Sequence, residues 1–203
     1  MAYRYRYKGY RYGDSYGGGF FDSLVRTFFV LLFAAVATVL FIALTAPRGV
    51  DGASQIFGHE LRIVESDSMQ EHPDTNVSDY AIGSFKKNTM VALELVPEND
   101  SEAFAWYESV QEGDVLTVRY TYDRQVTITH RVISKKLNDD GTGYIIKLQG
   151  DNLNSNSAQL TQEIDTSDGQ STNYVIGRVV WKSYPVGVVI AGLQRVFKAF
   201  ADE

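Results

Sequence analysis

The spacing of hydrophobic residues along the chain changes at about residue 60. Residues 27 to 46 form a run of 20 uncharged and mostly apolar residues, whereas apolar residues beyond residue 60 recur at every second position. A helix rises about 1.5 Å per residue, so a run of this length matches a hydrocarbon core about 30 Å thick. Period two with many β-branched and aromatic residues is typical of strands. The pattern therefore predicts a membrane-spanning helix over 27 to 46, followed by a mainly β domain.

Several short segments of the second part carry the strand pattern. They are Thr89 to Val96, Val115 to Tyr122, Val126 to Ile133, Tyr144 to Leu148 and Tyr174 to Trp181. Asp139-Asp140-Gly141 and the stretch 122 to 125 have the composition of tight turns. Residues 101 to 110 predict a short helix, and the polar stretches 70 to 84 and 152 to 173 predict loops long enough to be functional.

The remaining segments lie outside this β pattern. Residues 1 to 26 form a basic tail, and its first 19 residues, rich in Tyr, Arg and Gly, cannot build a core and predict disorder. Residues 47 to 60 predict a short flexible linker, and the β domain is expected over 61 to 185. Residues 186 to 203 place apolar side chains at helical spacing. They predict an amphipathic helix that either closes the domain or lies on the lipid bilayer.

Charge is distributed unevenly about the apolar segment. The formal net charge is -6, but residues 1 to 26 carry five basic and two acidic side chains, so that the rest of the chain holds the negative charge. Basic residues before the apolar segment predict a cytoplasmic amino terminus and a β domain outside the cell membrane, with a single pass. A cleavable signal peptide is the competing interpretation, but its apolar region would be too long. An acidic domain is also unsuited to bind nucleic acid.

The residue types that are absent narrow the possible chemistry. The chain has no cysteine, which excludes a disulfide framework, a zinc-thiolate site and a thiol nucleophile. No two of its three histidines have the spacing of metal ligands, so no metal or other cofactor is expected. A serine hydroxyl is a poor nucleophile without a base.

A polar stretch from Glu65 to Met69 follows the strand-like residues Leu61 to Val64. In an extended chain, side chains at positions i and i+2 point to the same face, so Ser66 and Ser68 can serve one site. The candidate base is His130, which alternation places on the apolar face of its strand, opposite Arg131. A histidine so placed is more often a satisfied core residue than a catalyst. Asp151 follows Gly150 at a strand end, but Gly-Asp-Asn is also a common turn.

The order of these motifs resembles that of the type I signal peptidases, in the branch that uses Ser and His where the other branch uses Ser and Lys. The resemblance covers most of residues 62 to 187. It rests on Ser66-Asp67-Ser68-Met69, Lys86 to Leu93, Gly113 to Val118, Thr129 to Ile133, Gly150-Asp151-Asn152 and Ile176 to Val180. The family usually has a proline shortly after the Ser-Met pair, whereas here residues 70 to 73 begin a longer loop. Some members of this branch also carry a second aspartate soon after Gly-Asp-Asn, but residues 154 to 157 offer no carboxylate.

The resemblance implies an antiparallel β catalytic domain in a membrane-bound serine endopeptidase that removes signal peptides from exported preproteins. It implies Ser68 as nucleophile, His130 as general base and then acid, and Ser66 as a hydroxyl donor to the oxyanion. Asp151 would hold the histidine, and no cofactor is implied. The alternative is a non-catalytic, membrane-anchored β domain that binds or scaffolds exported proteins. No residue pattern indicates an oligomeric state.

Overall fold

A computed structural model describes residues 20–45, 53–56, 58–119, 126–155, 161–167 and 175–201. The chain falls into two compact units, of which the first ends at Thr45 and the second begins at Ala46. The first unit contains helix α1, Phe20–Thr45, which begins inside the stretch predicted as a tail. Over the described residues, neither α1 nor any other helix meets the length and apolarity needed to cross a membrane. The membrane span over residues 27 to 46 therefore stays a prediction.

The second unit is built on a sheet of eight described strands. These are β1 Gln55–Ile56, β2 His59–Ile63, β3 Met90–Leu95, β4 Val115–Arg119, β5 Thr127–Leu137, β6 Tyr144–Gln149, β7 Gln162–Asp165 and β8 Val175–Ser183. Their order across the sheet is β1-β2-β3-β8-β4-β5-β6-β7. Every pair of neighbours is antiparallel. This arrangement confirms the predicted mainly β fold and its antiparallel character.

Two predicted boundaries within the β region are wrong. The predicted linker 47 to 60 contains β1 and the start of β2, which form a hairpin around Gly58, whose φ of 76° favours glycine. The predicted loop 152 to 173 contains β7, which pairs with β6. Strand β7 escaped prediction because its two inward positions are Gln162 and Ile164, so only one of them is apolar. The turn predicted over 122 to 125 lies outside the described residues.

Two helices flank the sheet. Helix α2, Asp100–Ser109, confirms the predicted short helix, and the Asn99 side chain caps it by accepting from Ser101 N and Glu102 N. Helix α3, Tyr184–Ala201, begins two residues before its predicted start. Gly187 packs directly on the chain before β3, because a Cβ there would lie 2.1 Å from the Asn88 carbonyl oxygen. Helix α3 therefore docks on the sheet through a small residue, while Val189 and Leu193 stay exposed.

Two hydrophobic clusters fill the domain. The first, called here the α2 core, joins Trp106, Tyr107 and Val110 of the α2 region to side chains of β4 to β8 that include Leu116 and Val132. The second, called the loop core, joins β3, β4 and β8 to Val64, Met69 and Phe85. Those three residues belong to the segment from Val64 to Thr89, called here the serine loop. Because Val115 and Leu116 are adjacent in β4 but lie in different cores, α2 and the serine loop cover opposite faces of the sheet.

Candidate active site around Ser68

The serine loop leaves the sheet where β2 ends. The amide of Val64 donates to Thr89 O at 2.9 Å, and the amide of Asn88 donates to Val64 O at 2.8 Å, so the two ends of the loop meet. Asn88 takes a φ of 64°, a left-handed conformation that asparagine tolerates better than most residues. Ser66 and Ser68 therefore lie in a turn beyond the sheet rather than in the extended segment predicted from the sequence.

The structure nevertheless brings the two serines together. Their Oγ atoms are 3.1 Å apart, within hydrogen-bond distance. Ser66 is exposed, whereas Ser68 is only 3% exposed. The intervening Asp67 fixes the turn, because its Oδ1 accepts from the Lys87 amide at 2.8 Å and its carbonyl accepts from Asn152 Nδ2 at 3.0 Å. The pair is thus held by the chain around it.

The Gly-Asp-Asn turn contacts the serine loop directly. The amide of Asn152 donates to the Ser68 carbonyl at 2.9 Å. Thr75 Oγ1 donates to the Asp151 carbonyl at 2.8 Å. Two of the motifs singled out in the sequence, which are more than 80 residues apart, therefore meet at Ser68.

The Asp151 carboxylate is bound to Arg131 rather than to His130. Arg131 Nε donates to Oδ1 at 2.8 Å, and Nη2 donates to Oδ2 at 2.6 Å. Ser84 Oγ also donates to Oδ2, at 2.7 Å. Arg131 and Asp151 are 3% and 2% exposed, so this is a buried, bidentate ion pair. Arg131 Nη1 also donates to the carbonyls of Ile82 and Gly113.

Arg131 was not predicted to belong to the site, although its position was informative. Arg131 follows His130 in β5, and successive side chains of a strand point to opposite faces. Val115, which is paired with Arg131, belongs to the loop core, whereas Val132, two residues beyond His130, belongs to the α2 core. Once Asp151 binds Arg131 on the loop side, its carboxylate is not available to hold His130.

His130 is fully buried, and neither of its ring nitrogens has a hydrogen-bond partner among the described residues. It is therefore not hydrogen-bonded to Ser68 or to Asp151. Burial lowers its pKa to about 4, while the negative charge of Asp151 and the nearby Gln162 amide raise it by less. The imidazole is neutral at pH 7, which is the state that accepts a proton.

Three further polar groups on the α2 side have unpaired atoms. Trp106 Nε1, Tyr107 Oη and both amide atoms of Gln162 are buried without a hydrogen-bond partner among the described residues. Burial also raises the pKa of Tyr107. Gln162 went unnoticed in the sequence because it lies in the stretch predicted as a loop. Its side chain, like the charge of Asp151, raises the pKa of His130.

Within the described ranges, no group of three or more His, Asp or Glu side chains is arranged to hold a metal ion.

Comparison of the chain with models of protein families and with curated proteins finds no match. The resemblance to the signal peptidases therefore rests on the motifs of this chain alone.

Proposed function

We propose that the protein is a membrane-bound serine endopeptidase of the signal peptidase type, which cleaves signal peptides from exported preproteins. The observation that carries this proposal is the pair of hydroxyls of Ser66 and Ser68, 3.1 Å apart and tied to the Gly-Asp-Asn turn through the Ser68 carbonyl. The proposal includes a single membrane pass, a cytoplasmic amino terminus and a catalytic domain outside the cell membrane.

In this proposal, Ser68 Oγ attacks the scissile carbonyl carbon while His130 accepts the hydroxyl proton. The His130 pKa of about 4 leaves the imidazole neutral at pH 7 but makes it a weak base, so the role requires its pKa to rise toward 7 in the substrate complex. The Ser66 hydroxyl and the Ser68 amide donate to the oxyanion of the tetrahedral intermediate. The C–N bond then breaks and the imidazolium returns its proton to the leaving amine. Water hydrolyses the acyl-enzyme in a second round with His130 as base.

Without substrate, Ser68 lies on the loop side of the sheet and His130 on the α2 side, so the proposal requires a rearrangement that brings the imidazole to Ser68 when substrate binds. Catalytic hydrogen bonds are often long or absent without substrate and shorten in the Michaelis complex. Both His130 nitrogens are without a partner among the described residues, so no existing hydrogen bond has to break first. Ser68 is 3% exposed, so its hydroxyl must also become more accessible.

Asp151 has a different role here from the one implied by the family resemblance. With both oxygens bound to Arg131 and Ser84, it fixes the turn whose Asn152 amide holds Ser68. It is therefore a positioning residue, and its charge favours the imidazolium without a hydrogen bond to it.

A non-catalytic, membrane-anchored domain that binds exported proteins is the second candidate. It is favoured by the low exposure of Ser68 and by the lack of a hydrogen bond at His130 among the described residues. A domain that only binds partners has no need of an accessible serine or of a base in contact with it.

The test uses the full chain in detergent with a preprotein substrate and a serine-directed acylating probe. Ser68→Ala should abolish both cleavage and labelling while the fold remains, because it removes the attacking atom and little packing. Ser66→Ala should lower turnover on the order of ten- to a thousandfold, because the Ser68 amide still binds the oxyanion. Ser78→Ala is the matched control, since this exposed serine bonds only to Asn76 and Asp79 among the described residues.

Product formation at the wild-type rate by Ser68→Ala would refute the assignment. A wild-type chain that neither cleaves nor takes up the probe would support the binding domain instead. A loss at Ser66→Ala as complete as that at Ser68→Ala would identify Ser66 as the nucleophile.

A further inference from the structure

A polar cavity lies at the start of helix α3. Its volume is about 540 Å³, and its polar lining includes Ser84, Lys86, Thr89, Lys182 and Ser183. None of Ser66, Ser68, His130 and Asp151 lines it. The cavity adjoins the proposed peptidase site through Ser84, whose hydroxyl binds Asp151, but a ligand could bind there whether or not the protein is a peptidase.

Positive charge predominates in the lining. Two lysines, Lys86 and Lys182, face one carboxylate, Glu71, although the chain beyond residue 26 is acidic. Lys182 Nζ donates to the carbonyls of Gly83 and Ser84, each at 2.7 Å, which fixes the ammonium at the cavity wall. Lys86 Nζ lies 4.0 Å from the centre of the Tyr184 ring. Both cations are thus held at the cavity by contacts with the protein.

Thr89 supplies an independent sign of a ligand. It is 1% exposed and lines the cavity, yet its Oγ1 has no hydrogen-bond partner among the described residues. A buried hydroxyl without a partner costs free energy, so natural proteins usually pair it with a protein group, a water or a ligand. The other two hydroxyls are engaged, since Ser84 Oγ donates to Asp151 and Ser183 Oγ accepts from Val186 N.

We propose that this cavity binds a phosphate group, with Lys182 and Lys86 balancing its charge and the Thr89 hydroxyl donating to one of its oxygens. Phosphate offers several acceptor oxygens around a compact negative charge, and lysine is a common partner for it. The group is either free phosphate or the headgroup of a phospholipid. Tyr184 lines the cavity, and the exposed Val186 follows the lining residue Pro185 in the chain, which is the composition of a surface that meets lipid headgroups.

The experiment titrates the full chain, in an uncharged detergent, with inorganic phosphate and with dihexanoyl phosphatidylglycerol below its critical micelle concentration. Binding is measured by calorimetry. Saturable binding of phosphate, with similar affinity for the lipid, identifies free phosphate as the ligand. Binding of the lipid at least about tenfold tighter identifies a phospholipid headgroup. Absence of saturable binding of either probe at millimolar concentration overturns the proposal.

Matched variants locate the site. Lys182→Gln and Lys86→Gln should each weaken binding by about tenfold, because each removes a charged hydrogen-bond donor. Thr89→Val, which keeps the shape, should weaken it several-fold. Lys87→Gln is the control, since this exposed neighbour makes the same change in charge but does not line the cavity. Its affinity should stay within twofold of wild type.

An equal loss of affinity in Lys87→Gln would mean diffuse attraction of anions and would overturn the proposal. Lys182 also holds the serine loop, so thermal unfolding is recorded for every variant. If Lys182→Gln does not fold, Lys86→Gln and Thr89→Val decide the outcome, because neither side chain ties one part of the backbone to another.

Discussion

Arg131 and His130 are neighbours in β5 and are buried to a similar degree, but they differ in the hydrogen bonds that their polar atoms make. Arg131 donates four hydrogen bonds, two to Asp151 and two to backbone carbonyls. His130 makes none among the described residues. A buried group with most of its donors paired holds a structure in place, whereas a buried group without partners lowers stability and calls for an explanation.

The same difference distinguishes the two faces of the sheet around β5. On the loop side, Asp151, Ser84 and Lys182 connect the serine loop to the strands through paired polar groups. On the α2 side, Trp106 and Tyr107 have buried polar atoms without partners in the described part of the chain, as His130 does. The comparison teaches that the paired Asp151 is a scaffold residue, whereas the polar atoms of His130, Trp106 and Tyr107 do not hold the described residues together.

The largest effect is expected from His130→Leu. We expect cleavage of a preprotein to fall by at least about a thousandfold, since the base is lost. The free energy of unfolding should stay unchanged or rise, because leucine has a similar volume and removes two unpaired nitrogens from the core. Urea unfolding at pH 7 and a cleavage assay measure the two quantities. Full activity, or a large loss of stability, would remove the contrast between His130 and Arg131.

Leucine at the next position, Arg131, should instead lower the free energy of unfolding. Arg131→Leu leaves the Asp151 carboxylate buried without a counter-ion, which costs about 3–5 kcal/mol in free energy of unfolding. Arg178→Leu is the control: Arg178 pairs with Glu94 and Asp114, but its side chain is 21% exposed, so its loss should cost less. Equal costs at the two arginines would show that the Arg131–Asp151 pair is no more important than a surface pair.

A smaller effect on the free energy of unfolding is expected from pH. It tests whether the imidazole of His130 is buried without a partner. The pKa of His130 is about 4 when folded and about 6.5 when unfolded, so between these values the unfolded chain binds more protons. The stability that comes from keeping His130 neutral is complete above pH 6.5 and is lost as pH falls toward 4, by about 3 kcal/mol in all.

The measurement for this third prediction compares unfolding of wild type and His130→Leu at pH 7 and pH 4.5. The difference between them isolates His130, because other titrating groups are common to both. Since kcat/KM reports the free enzyme, its value for cleavage should also persist below pH 6, where an ordinary histidine would be largely protonated. Identical pH dependence of stability in the two proteins would mean that the folded-state pKa of His130 is not lowered.

The sequence predicted the strands well where polar and apolar side chains alternate and the apolar ones lie on the buried face. It also indicated that Ser66 and Ser68 lie side by side, as their Oγ atoms do at 3.1 Å, although a turn rather than a strand joins them. Strand β7 was missed because Gln162 occupies a buried position that patterning reserves for apolar residues. Strand β1 has only two residues, too few to show an alternation of polar and apolar side chains.

The partner of Asp151 could not be predicted, for a physical reason. Alternation in β5 places His130 and Arg131 on opposite faces, but it does not say which face the Gly-Asp-Asn turn approaches. That choice depends on how residues 64 to 89 fold over the loop core, which is a tertiary property.

The closed base of the serine loop has a consequence for how this protein can change in evolution. Because Val64, Asn88 and Thr89 join the two ends, the sheet receives the same chain ends whatever the length of the segment between them. Doubling the length of a flexible loop costs only about 0.6 kcal/mol. Residues 76 to 79 are largely exposed and bond mainly to one another, so insertions there leave Ser66 and Ser68 undisturbed. New surfaces for recognising other partners can therefore be added beside the serines without redesign of the β domain.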